Sequence, residues 1–377
     1  MRAVLIEAPG EIATAIVADP APGPGEVVMS VAGVGVCGTD IHVLDGDLEG
    51  TVYPIVPGHE FAGTVTAVGP GVDDFAVGDR VAVDPNLPCR TCHYCKIGRG
   101  NLCERYNAIG VIRSPGATAE YCAAPAANCY RLPEWVSLDH APLIEPLSCA
   151  VHGFDLLPGR IGAHYLVYGA GTMGLMMAQL ARFAGAASVS VVDLNTDRLA
   201  VAERLAADAT ATAADELDRP EGWEVVIDCT GAVPAIEDGL TRVRKGGTFQ
   251  VFGVASESAT ANFSPFRVYK DEIHIVGSMA VLHSFGRAVD LLAKGVIDAE
   301  AMTSHTFGLD QYTKAIETFR AGTGRKLQIR PLTDVEDETR RRHGRPRSES
   351  AAADSASGKL AFTANRWNAE KTEVRCP

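Results

Sequence analysis

The chain has 377 residues, 46% of them hydrophobic, and a formal net charge of −13. That allows a large core and predicts two domains with an appendage, while the acidic balance argues against a phosphate backbone as partner. The opening MRAVLIEAPGEI is too short in its apolar run for a secretory signal, and no apolar stretch reaches membrane-spanning length, so the expectation is a cytoplasmic protein without membrane contact whose ten cysteines stay reduced.

In chain order, EVVMSVAGVGV, FAGTVTAVG and DRVAVDP are valine-rich runs between turns, which predicts a β-rich domain with long loops over residues 1–150. From about 160 the rhythm changes. HYLVYGAG reads as a strand entering a glycine turn, and MGLMMAQLARFAGA as a helix ending near Gly185. SVSVVDL, EVVIDCTG, TFQVFGV and IHIVGSM continue as strands, with helices over TDRLAVAERLAAD and PAIEDGLTRVRKGG. That alternation predicts a parallel, doubly wound α/β sheet over 151–280. SFGRAVDLLAKG and DQYTKAIETFRAG read as helices within 281–330 that return the chain to the first domain. The segment 331–377 mixes charge runs with Ser and Ala, and predicts disorder.

GAGTMG fits G-x-G-x-x-G between a predicted strand and helix, and Asp193 ends the next strand. Gly169 allows the tight turn, Gly171 lets backbone approach a pyrophosphate, and Gly174 lets helix and strand pack. Thr172 and Met173 open the helix, whose free N–H groups attract phosphate. Asp193 can accept two ribose hydroxyls and would repel a 2′-phosphate, which favours NAD over NADP; Arg198 close behind can soften that preference.

CRTCHYCKIGRGNLC places Cys89, Cys92, Cys95 and Cys103 in one stretch. Disulfides do not suit a reducing compartment, and the spacing matches neither ferredoxin pattern. Four thiolates around zinc fit, and such a site is closed, so it holds structure rather than substrate. Arg90, His93, Lys96 and Arg99 lie among the ligands and can offset the charge.

VCGTDIH supplies Cys37, Thr39, Asp40 and His42; PGHEFAGTVTAVG supplies His59 and Glu60; LIEPLSCAVHG supplies Glu145. Singly, each has an ordinary structural explanation. Together with the cysteine stretch and the glycine turn, in this order, they resemble the zinc-containing medium-chain dehydrogenases, over residues 1 to about 330. The resemblance implies an α/β architecture in which a GroES-like catalytic domain joins a Rossmann domain. It also implies one catalytic and one structural zinc per chain, with NAD as hydride acceptor. Cys37 and His59 fall on catalytic zinc ligands. EPLSCAVHG is similar to the polyol-dehydrogenase branch, where Glu145 is the third ligand; Glu60 would be an outer or exchanging ligand. Thr39 and His42 fall at the family's proton-relay positions.

The implied activity is oxidation of a secondary alcohol of a polyol to the ketone. The Arg-Tyr pair that many sorbitol dehydrogenases carry after the last Rossmann strand is absent from GSMAVLHSFGRAV, where His283 and Ser284 are the polar residues. A threonine 3-dehydrogenase, or an enzyme of a cyclitol or simple alcohol, is the alternative, and the EPL segment counts against the first. The family implies a homo-dimer or homo-tetramer.

Overall fold

The computed structural model describes residues 1–332; the segment read as a disordered tail lies, apart from Pro331 and Leu332, outside them. The first sheet has seven strands built around Glu26–Val36, which pairs antiparallel with Glu60–Val68, Tyr121–Pro125 and Lys326–Arg330. Arg80–Val83 and Cys129–Arg131 extend one side, and Thr303–Gly308 extends the other. The central strand, EVVMSVAGVGV, is buried along almost its whole length. Stiff β-branched side chains suit such a two-sided interior. Its core gathers Val4, Met29, Phe61, Val65, Val81 and Ile329. The opening residues, which carry no assignment in the sequence reading, form a hairpin, Arg2–Ala8 with Glu11–Ile16.

The second sheet has six parallel strands in the order Ala209–Ala211, Ser188–Val192, His164–Tyr168, Trp223–Asp228, Val243–Val251, His274–Gly277. Numbered within the sheet this is 3-2-1-4-5-6, the doubly wound dinucleotide order. Helices Ile144–Asp155, Thr172–Phe183 and Phe285–Ala293 pack together on one face with Leu147, Val151, Met176 and Leu292 between them. The other face holds Trp223, Phe249 and Leu240. The core under the first face also includes Ala62 and Ala82 of the first sheet. Helix Ile144–Asp155 therefore sits at the junction of the two sheets.

The segment after 280 carries the expected helices, Phe285–Ala293 and Tyr312–Arg320, and also the two strands Thr303–Gly308 and Lys326–Arg330. The chain re-enters the first sheet by strand pairing. Runs as short as TSHTFG and KLQIR carry little period-2 signal, so only the helices are legible there from the sequence. Among the described residues no helix is long and apolar enough to cross a membrane.

Candidate active site

Cys37 is the N-cap of helix Gly38–Asp45. Its thiol accepts the Thr39 N–H at 3.3 Å, and its own N–H donates to Asp40 Oδ2 at 2.9 Å, so a reciprocal capping box fixes the cysteine at the helix start. His59 ends the loop before strand Glu60–Val68 and points Nε2 at Cys37 Sγ, 3.2 Å away. Its other ring nitrogen faces Asp40 Oδ1 at 3.7 Å. Glu145 lies in the first turn of helix Ile144–Asp155, buried, and its Oε1 accepts the Cys149 thiol at 3.5 Å.

Ligand atoms of Cys37, Asp40 and His59 lie within 4.8 Å of one another, and so do those of His59, Glu60 and Glu145. His59 is the shared member, so the three expected ligands, distant in sequence, converge on one imidazole. The donor set is one thiol, one imidazole and one carboxylate, a borderline set suited to zinc with an open position. The electrostatics agree. Burial opposes charge on His59, yet Cys37 and Asp40 beside it overcome that and hold it well above 6.5. Burial pushes Glu145 up to about 7 and raises Asp40 as well. Asp40 and Glu145 each gather with His59, one in each of the two groups.

Glu60 faces this cluster with a different partner. Lys326 Nζ lies 2.6 and 2.8 Å from its two carboxylate oxygens and also donates to the Val36 carbonyl. Both side chains are buried. Gly35 opposes Glu60 across the sheet, and a Cβ there would collide with the carboxylate. The second glycine in VAGVGV is thus room for Glu60. Thr39 and His42 stand three residues apart on helix Gly38–Asp45, hence on one side of it, and both are half-buried.

The glycine turn lies between strand His164–Tyr168 and helix Thr172–Phe183. Gly169 takes φ +93°, and a Cβ on Gly174 would run into the Gly169 carbonyl oxygen. A Cβ on Gly171, the helix N-cap, would meet only Arg198 Nη1 at 3.8 Å, so the space before this helix is open to a phosphate. Thr172 and Met173 form the first turn. Asp193 accepts the Ala170 N–H at 2.6 Å on one oxygen and the Asn195 N–H at 2.8 Å on the other. Each oxygen keeps a further lone pair for a hydroxyl. Arg198 lies 4.0 Å from Asp193 and is tied back to the carbonyls of Gly322 and Gly324.

The four clustered cysteines come together in a separate lobe, with Cys89 Sγ 4.0 Å from Cys95 Sγ and Cys92 Sγ 3.9 Å from Cys103 Sγ. A tetrahedron of sulfurs around zinc, at its usual bond length, has edges of about 3.8 Å. Backbone N–H groups of Cys92, Cys89 and Arg105 donate to these sulfurs at 3.2–3.3 Å. Thr91 donates to Cys89, whose thiol is lowered to about 5. The cation set directly on the cluster is Arg105, 3.5 Å from Cys89 Sγ, which lies just beyond the stretch whose own basic residues were expected to offset the charge.

Residues 23–134 match the model of the alcohol dehydrogenase GroES-like domain, and residues 172–294 that of the zinc-binding dehydrogenases. The chain belongs to the zinc-binding dehydrogenase family. It is an oxidoreductase acting on alcohols. D-arabinitol dehydrogenase 1 of Uromyces fabae is 36% identical over 81% of this chain and 90% of its own length. Sorbitol dehydrogenase of Macaca fascicularis is 33% identical over 87% and 95%. Among solved structures, a zinc-binding dehydrogenase of Sinorhizobium meliloti 1021 bound to NADP is 33% identical, with a TM-score of 0.84 over 88% of this chain and 99% of that one. The family, the two-part architecture and the zinc and nicotinamide chemistry expected from the sequence are those of these relatives.

Three residues at the site take a role only from the structure. Asp40 has one local signal, its place three residues after Cys37 in a capping pattern. Lys326 has no local signal at all, because it meets Glu60 only through strand pairing. Arg105 lies two residues past the last clustered cysteine.

Proposed function

We propose that the protein oxidises a secondary alcohol of a polyol to the ketone with NAD, and reduces the ketone in reverse. The observation that carries this reading is Glu145, a buried carboxylate beside His59 where a third thiolate would otherwise be expected. The polyol enzymes among the relatives point the same way. Cys37, His59 and Glu145 would hold the catalytic zinc, with Glu60 as an outer group and the four clustered cysteines as ligands of a structural zinc. Zinc bound by such residues supplies a Lewis acid that lowers the pKa of an alcohol hydroxyl, and NAD accepts the hydride.

The chain's own groups do the rest. Asp40 Oδ1, 3.7 Å from His59 Nδ1, favours a proton on that nitrogen and so leaves Nε2 for the cluster. Lys326 neutralises Glu60 and leaves Glu145 as the carboxylate free to face a cation. The Thr39 hydroxyl takes the proton released by the substrate and His42, one turn on, passes it toward solvent. Gly169, Gly171, Thr172, Met173 and Gly174 cradle the pyrophosphate. Asp193 binds the adenosine ribose, with Arg198 at hand to moderate its discrimination against a 2′-phosphate.

The division of the chain near residues 150, 280 and 330 belongs to the same proposal. So does a homo-oligomer formed through the free edge of the parallel sheet, where Val254, Phe266, Tyr269 and Ile275 are exposed near strand His274–Gly277. A reducing, cytoplasmic setting suits thiols gathered for metal. An NAD-reduction screen over sugar alcohols, threonine and simple primary alcohols tests the substrate. Turnover of C5 and C6 polyols is expected; turnover of primary alcohols or threonine alone would overturn the polyol reading.

A further inference from the structure

The cysteine lobe makes two ties to the loop that leaves the last strand of the parallel sheet. Asn101, buried, donates from Nδ2 to the Met279 carbonyl at 3.0 Å. His283 Nε2 lies 3.0 Å from the Gly98 carbonyl. A carbonyl only accepts, so this nitrogen carries the proton. The loop between them is held in an uncommon shape: Ala280 and His283, neither of them glycine, take φ +49° and +52°. Left-handed backbone at such residues persists only where the surroundings enforce it.

Beside the ties lies a cavity of about 340 Å³. Asn101 of the lobe, His152 of helix Ile144–Asp155, and Val254 and Met279 at the sheet ends all line it. His152 is 3% exposed, and neither its Nε2 nor Asn101 Oδ1 has a hydrogen-bond partner among the described residues. Two buried, unpartnered polar atoms at one cavity point to a polar ligand. The sheet supplies its direction. Asp193 follows the strand on one side of the glycine turn, so the adenosine half of a dinucleotide lies there. The other half must cross toward strands Val243–Val251 and His274–Gly277, at whose C-terminal ends this cavity opens.

We propose that Asn101 and His283 are positioning residues that clamp the 279–283 loop to the cysteine lobe and thereby hold the wall against which the nicotinamide half of the dinucleotide rests. This rests on the dinucleotide reading given under the proposed function, and not on the identity of the alcohol. The lobe then acts on cofactor affinity as well as on stability.

The test is NADH binding, read by fluorescence titration, on the zinc-loaded protein and on Asn101→Leu, His283→Leu and His283→Gln. Melting temperature and zinc content are measured alongside. Each leucine variant is expected to raise the NADH Kd roughly three- to tenfold, while His283→Gln, which keeps a donor, stays near the parent. Unchanged Kd in both leucine variants, with or without a lower melting temperature, overturns the clamp. So does a raised Kd that appears only with loss of zinc from the lobe, because the ties would then serve the lobe alone. His283 is exposed, so His283→Leu keeps the test open if Asn101→Leu fails to fold. A parent protein that binds no NADH at all would instead overturn the dinucleotide reading.

Discussion

The cysteine lobe and the catalytic cluster gather metal-binding side chains in opposite ways. In the lobe, four identical donors fall within residues 89–103 and are arranged largely by their own turns, with backbone N–H groups aimed at the sulfurs. In the cluster, three different donors come from a helix cap, a loop end and the start of another helix, at 37, 59 and 145. In the proposed reading the lobe is built around a structural ion. The cluster is built by the whole fold, and so can keep one position open. On the proposed assignment, density of chemical residues in sequence goes with the closed site and dispersion with the catalytic one.

The sharpest way to break that contrast is a pair of substitutions. Glu145→Ala is expected to lower kcat by at least about a thousandfold with a small change in melting temperature. Cys89→Ser should instead release zinc and cost several degrees of thermal stability. Equal effects of the two on turnover and stability would erase the distinction.

Next in size is Lys326→Met, which leaves the buried Glu60 carboxylate without its partner. Removing one member of a buried pair costs about 3–5 kcal/mol, and Glu60→Gln on the same background should restore most of it. Chemical denaturation of all three proteins measures this. A loss below about 1 kcal/mol in Lys326→Met would mean that solvent reaches Glu60.

The metal-free protein should show the acids of the cluster through its pH dependence. Burial raises Glu145 to about 7 from a usual 4.5, so the folded state favours the neutral acid. Its stabilising contribution is full below about pH 4.5 and is lost as pH rises through 7. Zinc binding wants the carboxylate, so retention of the ion should strengthen over the same window. Denaturation midpoints with and without zinc, from pH 5 to 8, give both slopes; parallel curves would contradict the assignment.

The smallest expected effect lies at the nucleotide turn. Asp193→Ala should narrow the preference for NAD over NADP by about tenfold, and Arg198→Ala should widen it. The ratios of kcat/KM for the two cofactors report this. No shift in either variant would remove Asp193 from the ribose.

Legibility followed the range of the interactions. The glycine turn was readable because its demands are local: φ at Gly169, close approach at Gly174, an acid one strand later. The cysteine lobe was readable for the same reason. Cys37, His59 and Glu145 were found only through their order within a known pattern, since nothing in VCGTDIH alone says that it meets PGHE. Lys326 was invisible, because its partner lies 266 residues away and is reached only through strand pairing. Arg105 lies two residues past the last clustered cysteine, where the spacing pattern has ended. The final two strands are too short to show, whereas the helices Phe285–Ala293 and Tyr312–Arg320 are amphipathic enough to be read.

The return of Lys326–Arg330 to the first sheet also orders events during synthesis. Strand Glu26–Val36 leaves the ribosome early, and Glu60–Val68 and Tyr121–Pro125 can pair with it soon after, but its Val34–Val36 end stays unpaired on one edge until nearly three hundred further residues have followed. Through that interval Glu60 has no counter-charge, and the half-built sheet exposes a strand edge of the kind that pairs with other chains. The parallel sheet, contiguous in sequence, can form in the meantime. A nascent chain halted before residue 326 would therefore carry a complete nucleotide-binding half and an unfinished metal-binding one.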